Sequence, residues 1–190
     1  MKTKLLMLTV AMSCVFAGNA MALTKDEYKA QKTQISVDYK VNRDKCTALK
    51  ANAKDICVSE AKGTEKVAKA ELEAQYKPSS RNDQKVSVAK ADAAYSTAKQ
   101  KCDDLSGNSK DVCVKDAKAA HVKAKADAKV TKASVDTSKT KAETMTDVKK
   151  DTNTEKREAD YSAAKERCNS LAGTAKDTCL SDAKSKYDMK

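Results

Sequence analysis

Three pairs of cysteines constrain this 190-residue chain more than anything else in it. Cys46 and Cys57, Cys102 and Cys113, and Cys168 and Cys179 each stand eleven positions apart, in the segments "KCTALKANAKDICVSEAK", "KCDDLSGNSKDVCVKDAK" and "RCNSLAGTAKDTCLSDAK". On one unbroken helix, eleven residues would separate two cysteines by about 16 Å along the axis. A disulfide needs Cα atoms about 4.4–6.8 Å apart. The chain must therefore reverse between them, and the pairing Cys46–Cys57, Cys102–Cys113 and Cys168–Cys179 staples the neck of a helical hairpin.

The repeat extends beyond the cysteines. Tyr39, Tyr95 and Tyr161 precede the first cysteine of each pair by seven, and Leu49, Leu105 and Leu171 follow it by three. Tyr95, Ala98, Cys102 and Leu105 then form one helical stripe, so these tyrosines and leucines are expected to pack the repeat. Gly107 supplies a left-handed residue that ends the first arm, and Asn108 can cap the second, with Asp111 three residues on. Gly173, Thr174 and Asp177 repeat the arrangement, whereas the first copy has Ala51, Asn52 and Asp55 and a weaker stop. Cys113, Ala117, Ala120 and Ala124 form a small-residue seam for the second arm.

Composition explains why staples are needed. Leu, Ile and Val make up roughly 12% of the chain after residue 22, below the level of about 20% under which disorder becomes an alternative. Ala and Lys, both strong helix formers, dominate instead. No segment alternates β-branched and polar residues, so the expected class is all-α: three disulfide-stapled hairpins, elongated or loosely bundled, with partial disorder between the units as an alternative. Residues 23–77 form hairpin 1, 78–84 a linker around Pro78, 85–132 hairpin 2, 133–154 a Ser/Thr-rich linker or frayed helix, and 155–190 hairpin 3.

Residues 1–22 read as a cleaved secretory signal: Lys2 and Lys4, a short apolar run from Leu5 to Phe16, and "NAMA" ending at Ala22, with Leu23 as the new N-terminus. Cys14 offers a lipoprotein alternative, disfavoured because Met precedes it within "AMS". The remaining six cysteines are an even number in an exported chain, which favours disulfides. No further long apolar run predicts a transmembrane segment in the mature chain.

The search for chemistry is mostly negative. His121 is the only histidine and sits in "KAAHVKAKA", where it reads as a surface residue. Without a nucleophile context it makes no catalytic triad, and no Gly-rich phosphate loop occurs. Cys-x-x-Cys redox pairs and zinc-ligand spacings are missing too. No catalytic residue, metal ligand or cofactor is expected. Formal net charge is +11, carried almost wholly by lysine with acids interleaved. Scarce arginine and no interleaved aromatics argue against nucleic acid. Lysine-rich faces suit anionic envelope components, such as lipopolysaccharide or peptidoglycan, or acidic proteins. The alternative is a thiol-based metal-binding or redox-buffering protein.

The "MKTKLL" and "NAMA" leader, the "KDIC", "KDVC" and "KDTC" pairs and the Ala/Lys-rich helices together resemble small uncharacterised exported proteobacterial proteins, often labelled TolA-like or cell-envelope biogenesis proteins. That resemblance implies a periplasmic helical protein of the envelope. It does not imply energy transduction, because the leader reads as cleaved and no counterpart of the folded TolA C-terminal domain is recognised. Nothing in the sequence indicates an oligomeric state.

Overall fold

A computed structural model describes residues 23–136 and 142–189. The signal segment with Ala22 and Cys14 lies outside these residues, and Leu23 is the first residue described. Six helices follow in chain order: α1 (Lys25–Lys45), α2 (Ala51–Tyr76), α3 (Ser80–Cys102), α4 (Gly107–Asp136), α5 (Ala142–Cys168) and α6 (Gly173–Lys186), with one 3-10 turn over Cys46–Ala48. No strand occurs among the described residues.

All three disulfides join the expected cysteines, with Cα–Cα distances of 5.6, 5.6 and 5.7 Å. Each one bridges the last turn of an odd-numbered arm to the second turn of the next arm. The first cysteine of every pair is fully buried. Caps contribute little here, for neither Lys50 nor Ala172 makes a side-chain cap to the arm that follows. The covalent bond holds an entrance that hydrogen bonding leaves loose.

The hairpins are not separate modules. Every helix packs on its neighbours in sequence and on no others among the described residues. Contacts between hairpins are more extensive than those within them. Asn52, Ser59 and Lys66 of α2 meet the Gln100 carbonyl, Thr97 and Asp92 of α3 in antiparallel register. Lys123 and Lys129 of α4 meet Asp160 and Glu155 of α5 in the same way. The result is an up-and-down meander, with the three stapled turns at one end and the α2–α3 and α4–α5 connections at the other.

The expected linker at 78–84 is shorter than its span. Within 78–84 only Pro78 and Ser79 lie outside helix, because the Ser79 hydroxyl accepts the Asn82 amide and starts α3 at Ser80. Within 133–154 the helical alternative holds for the described residues, which end α4 and open α5. Thr152, 1% exposed, is even part of the core. Its hydroxyl donates to the Val148 and Lys149 carbonyls, which makes a buried threonine affordable.

The core itself is mostly alanine: Ala61, Ala89, Ala91, Ala119, Ala126, Ala128, Ala163 and Ala183, with Leu72 and the first cysteines. Small side chains let helices approach closely. At Gly63 an added Cβ would sit 2.9 Å from that of Ala93, so α2 and α3 touch almost backbone to backbone. The seam of α4 also differs from expectation. Ala120 and Ala124 are exposed, while Ala119, Ala126 and Ala128 are buried. A helix packed on both α3 and α5 uses two sides, not the one that a lone hairpin would need.

Candidate functional site

The repeated residues are the natural place to begin. Tyr39, Tyr95 and Tyr161 are half-buried on the first arms. Leu49, Leu105 and Leu171 are 41%, 44% and 42% exposed, which corrects their expected packing role. The helical stripe ends too early to include them. The α-helical part of each first arm stops at or just before its cysteine, and the leucine amide instead closes a turn on the cysteine carbonyl, at 3.1, 3.0 and 3.1 Å. Gly107 and Gly173 do take the left-handed conformation, with φ of +55° and +56°. They open the second arm, however, rather than end the first. Ala51 occupies the same place at φ 48°. Asn52 caps nothing at that turn; its amide donates to the Gln100 carbonyl at 2.8 Å and ties hairpin 1 to hairpin 2.

His121 departs furthest from expectation. Its side chain is only 10% exposed. The ring stacks on Tyr95 with centroids 4.8 Å apart, and Nε2 lies 2.7 Å from Asp92 Oδ1. Asp92 also accepts from Lys66 Nζ at 2.7 Å. Lys118 lies over the other partner, 5.6 Å from the Tyr95 ring centre. One network thus links α2, α3 and α4. The Lys66 ammonium hydrogen-bonded to Asp92 holds that carboxyl below its ordinary value, against partial burial, and His121 adds to the effect.

A signal for this cluster was present in the sequence. Asp92 and Tyr95 precede Cys102 by ten and seven, and His121 follows Cys113 by eight. Folding the chain back at the staple brings the three to the same level. Composition around His121 hides this, because apart from Val122 its neighbours in sequence are lysine and alanine.

Beside His121, α4 and α5 enclose a groove of about 570 Å³. Lys115, Lys118, Lys125 and Lys129 rim it on α4, with Glu155 and Glu158 on α5, over a floor that includes Val122 and Ala159. Apart from Glu158, the carboxylates that might neutralise α4 are already engaged. Asp116 pairs with Arg167, Asp127 with Lys156, Asp160 with Lys123, and Glu155 with Lys129. Lys115, Lys118 and Lys125 make no ion pair among the described residues, so four lysines face two glutamates and the groove is net positive.

The six described cysteines are all consumed in disulfides. Thiolate metal binding would first require their reduction. No group of three or more metal-ligating side chains occurs among the described residues. No described helix is long and apolar enough to cross a membrane. No protein-family model matches the chain, and no curated protein and no solved structure shows significant similarity to it.

Proposed function

We propose that this chain is a non-catalytic periplasmic helical protein of the cell envelope, which contacts anionic partners through its lysine-rich faces. Three disulfides in a chain with so small a core suit an oxidising compartment. The resemblance to exported TolA-like envelope proteins points the same way. The observation that carries the binding role is the set of lysines on α4 without carboxylate partners. An interior helix of a meander could have neutralised them with its neighbours, as it does Lys123 and Lys129, and does not.

Attraction of this kind is electrostatic and screened within about 10 Å at roughly 0.1 M salt. Co-sedimentation of the disulfide-intact protein with isolated envelope fractions tests it. Binding at low salt that falls steeply as salt rises is the expected result. Failure to sediment at low salt would refute the reading.

A further inference from the structure

The groove beside His121 adjoins one polar atom that nothing in the fold satisfies. Asp92 is paired with Lys66, so its carboxylate is an acceptor, and His121 Nε2 must carry the proton between them. The other ring nitrogen is Nδ1. That nitrogen is buried and has no hydrogen-bond partner. Such a group is rare in a folded chain and calls for an explanation. The groups around it are Asp92 and Tyr95 from α3, Lys66 from α2 through Asp92, Lys118 and Lys125 from α4, and Glu155 and Glu158 across the groove.

Building on the anionic-partner reading, we propose that the α4–α5 groove binds an acidic glycan, whose charged groups meet Lys115, Lys118 and Lys125 and one of whose hydroxyls hydrogen-bonds His121 Nδ1. Three observations select this class. From Lys115 to Lys129 the rim runs about 21 Å along the helix, long for one phosphate and suited to a chain of charged units. Val122 and Ala159 give an apolar strip against which the C–H face of a sugar ring can lie. Finally, a sugar hydroxyl both donates and accepts, so it suits the unmet Nδ1 whether or not that nitrogen carries a proton, whereas a polyphosphate brings acceptors alone. Because Nδ1 is buried, side chains around it must shift to admit that hydroxyl. Glu158 opposes the charge of the ligand and keeps the site from being stronger.

Calorimetric titration of the disulfide-intact protein at low salt, with polygalacturonate, polyphosphate and neutral dextran as probes, tests the proposal. The groove variant Lys115→Gln/Lys118→Gln/Lys125→Gln should lose tenfold or more in affinity for polygalacturonate. Removing the same charge from α1, by Lys25→Gln/Lys32→Gln/Lys40→Gln, should cost less than threefold. Glu158→Gln should bind more tightly. His121→Phe keeps a ring to stack on Tyr95 and, with unchanged circular dichroism, should lose the preference for polygalacturonate over polyphosphate. Equal losses in the two lysine variants would sink the groove while leaving diffuse attraction intact. Polyphosphate bound more tightly than polygalacturonate by the native protein would sink the glycan assignment. Dextran bound as well as polygalacturonate would remove the role of charge. An absence of binding to either polyanion would overturn the anionic-partner reading as well.

Discussion

Substituting Ala51 by glycine should stabilise this protein, although helix propensity predicts the reverse. Ala51 is the first residue of α2, and inside a helix glycine is worse than alanine by about 1 kcal/mol. Its φ of 48°, however, lies in the left-handed region, where a Cβ costs roughly 1–2 kcal/mol. Glycine removes that cost but adds unfolded-state freedom worth about 0.4–1 kcal/mol. The balance favours Ala51→Gly by about 0.5–1 kcal/mol. Gly107 and Gly173 supply the converse. A Cβ built on either meets nothing within 4 Å, so Gly107→Ala and Gly173→Ala measure the backbone conformation free of steric clash. Each should lose a similar amount. Urea unfolding with the disulfides intact provides the assay, read as a shift in midpoint at constant slope. For a chain of this size the corresponding shift in Tm is about 1–4 °C. Destabilisation by Ala51→Gly would refute the reasoning, because it would mean that residue 51 behaves as helix interior and that the three turns are not equivalent.

The other predictions rest on separate features. Gly63→Ala should destabilise by about 1–3 kcal/mol despite better helix propensity, since its Cβ would press on Ala93 of α3; a neutral result in urea unfolding would show that the two helices can part freely. Removing one staple, as Cys102→Ala/Cys113→Ala, should cost about 3 kcal/mol by the loop-closure estimate, and full reduction should lower the helical circular dichroism substantially. A carboxyl held below its ordinary value, as Asp92 is by Lys66 and then His121, contributes stability that is present above its unfolded value of 3.8 and lost as pH falls through the folded one. Asp92→Asn should therefore be less stable at neutral pH and show a flatter loss below about pH 4; an unchanged acid limb would remove Asp92 from that role. Leu105→Ser should cost under about 1 kcal/mol, as suits a residue 44% exposed, and a loss of several kcal/mol would return the repeated leucines to the core.

Local rules read this chain well wherever the deciding partners are close in sequence. The staples follow from a length argument between residues eleven apart, and the left-handed glycines from a turn that the staples require. Where the rules failed, one more turn of helix was assumed. Leu105 belongs to the stripe of Tyr95 and Cys102 only if α3 continues, and it stops at Cys102. Pro78 is a true breaker, yet it ends α2 over a mere three residues, because Ser79 restarts the helix at once. The Ser/Thr-rich stretch has no apolar period, so the sequence leaves linker and frayed helix both open, and the buried Thr152 shows why: its packing needs a small side chain whose hydroxyl can bond its own backbone, not a hydrophobic one.

What the sequence determines by itself is the all-α class, the three staples and the reversals they enforce, since helix propensity and disulfide reach act over a few residues. Tertiary structure alone decides that the hairpins join into one meander and that His121 is buried. Alanine packs against any close neighbour and names none, so nothing in an alanine-rich face announces which helix will lie on it. The neighbours of His121 come from α3 and α5, with Lys66 of α2 one residue beyond, and only the antiparallel register of those helices sets an ionised aspartate, a tyrosine ring and a lysine-rimmed groove around one imidazole.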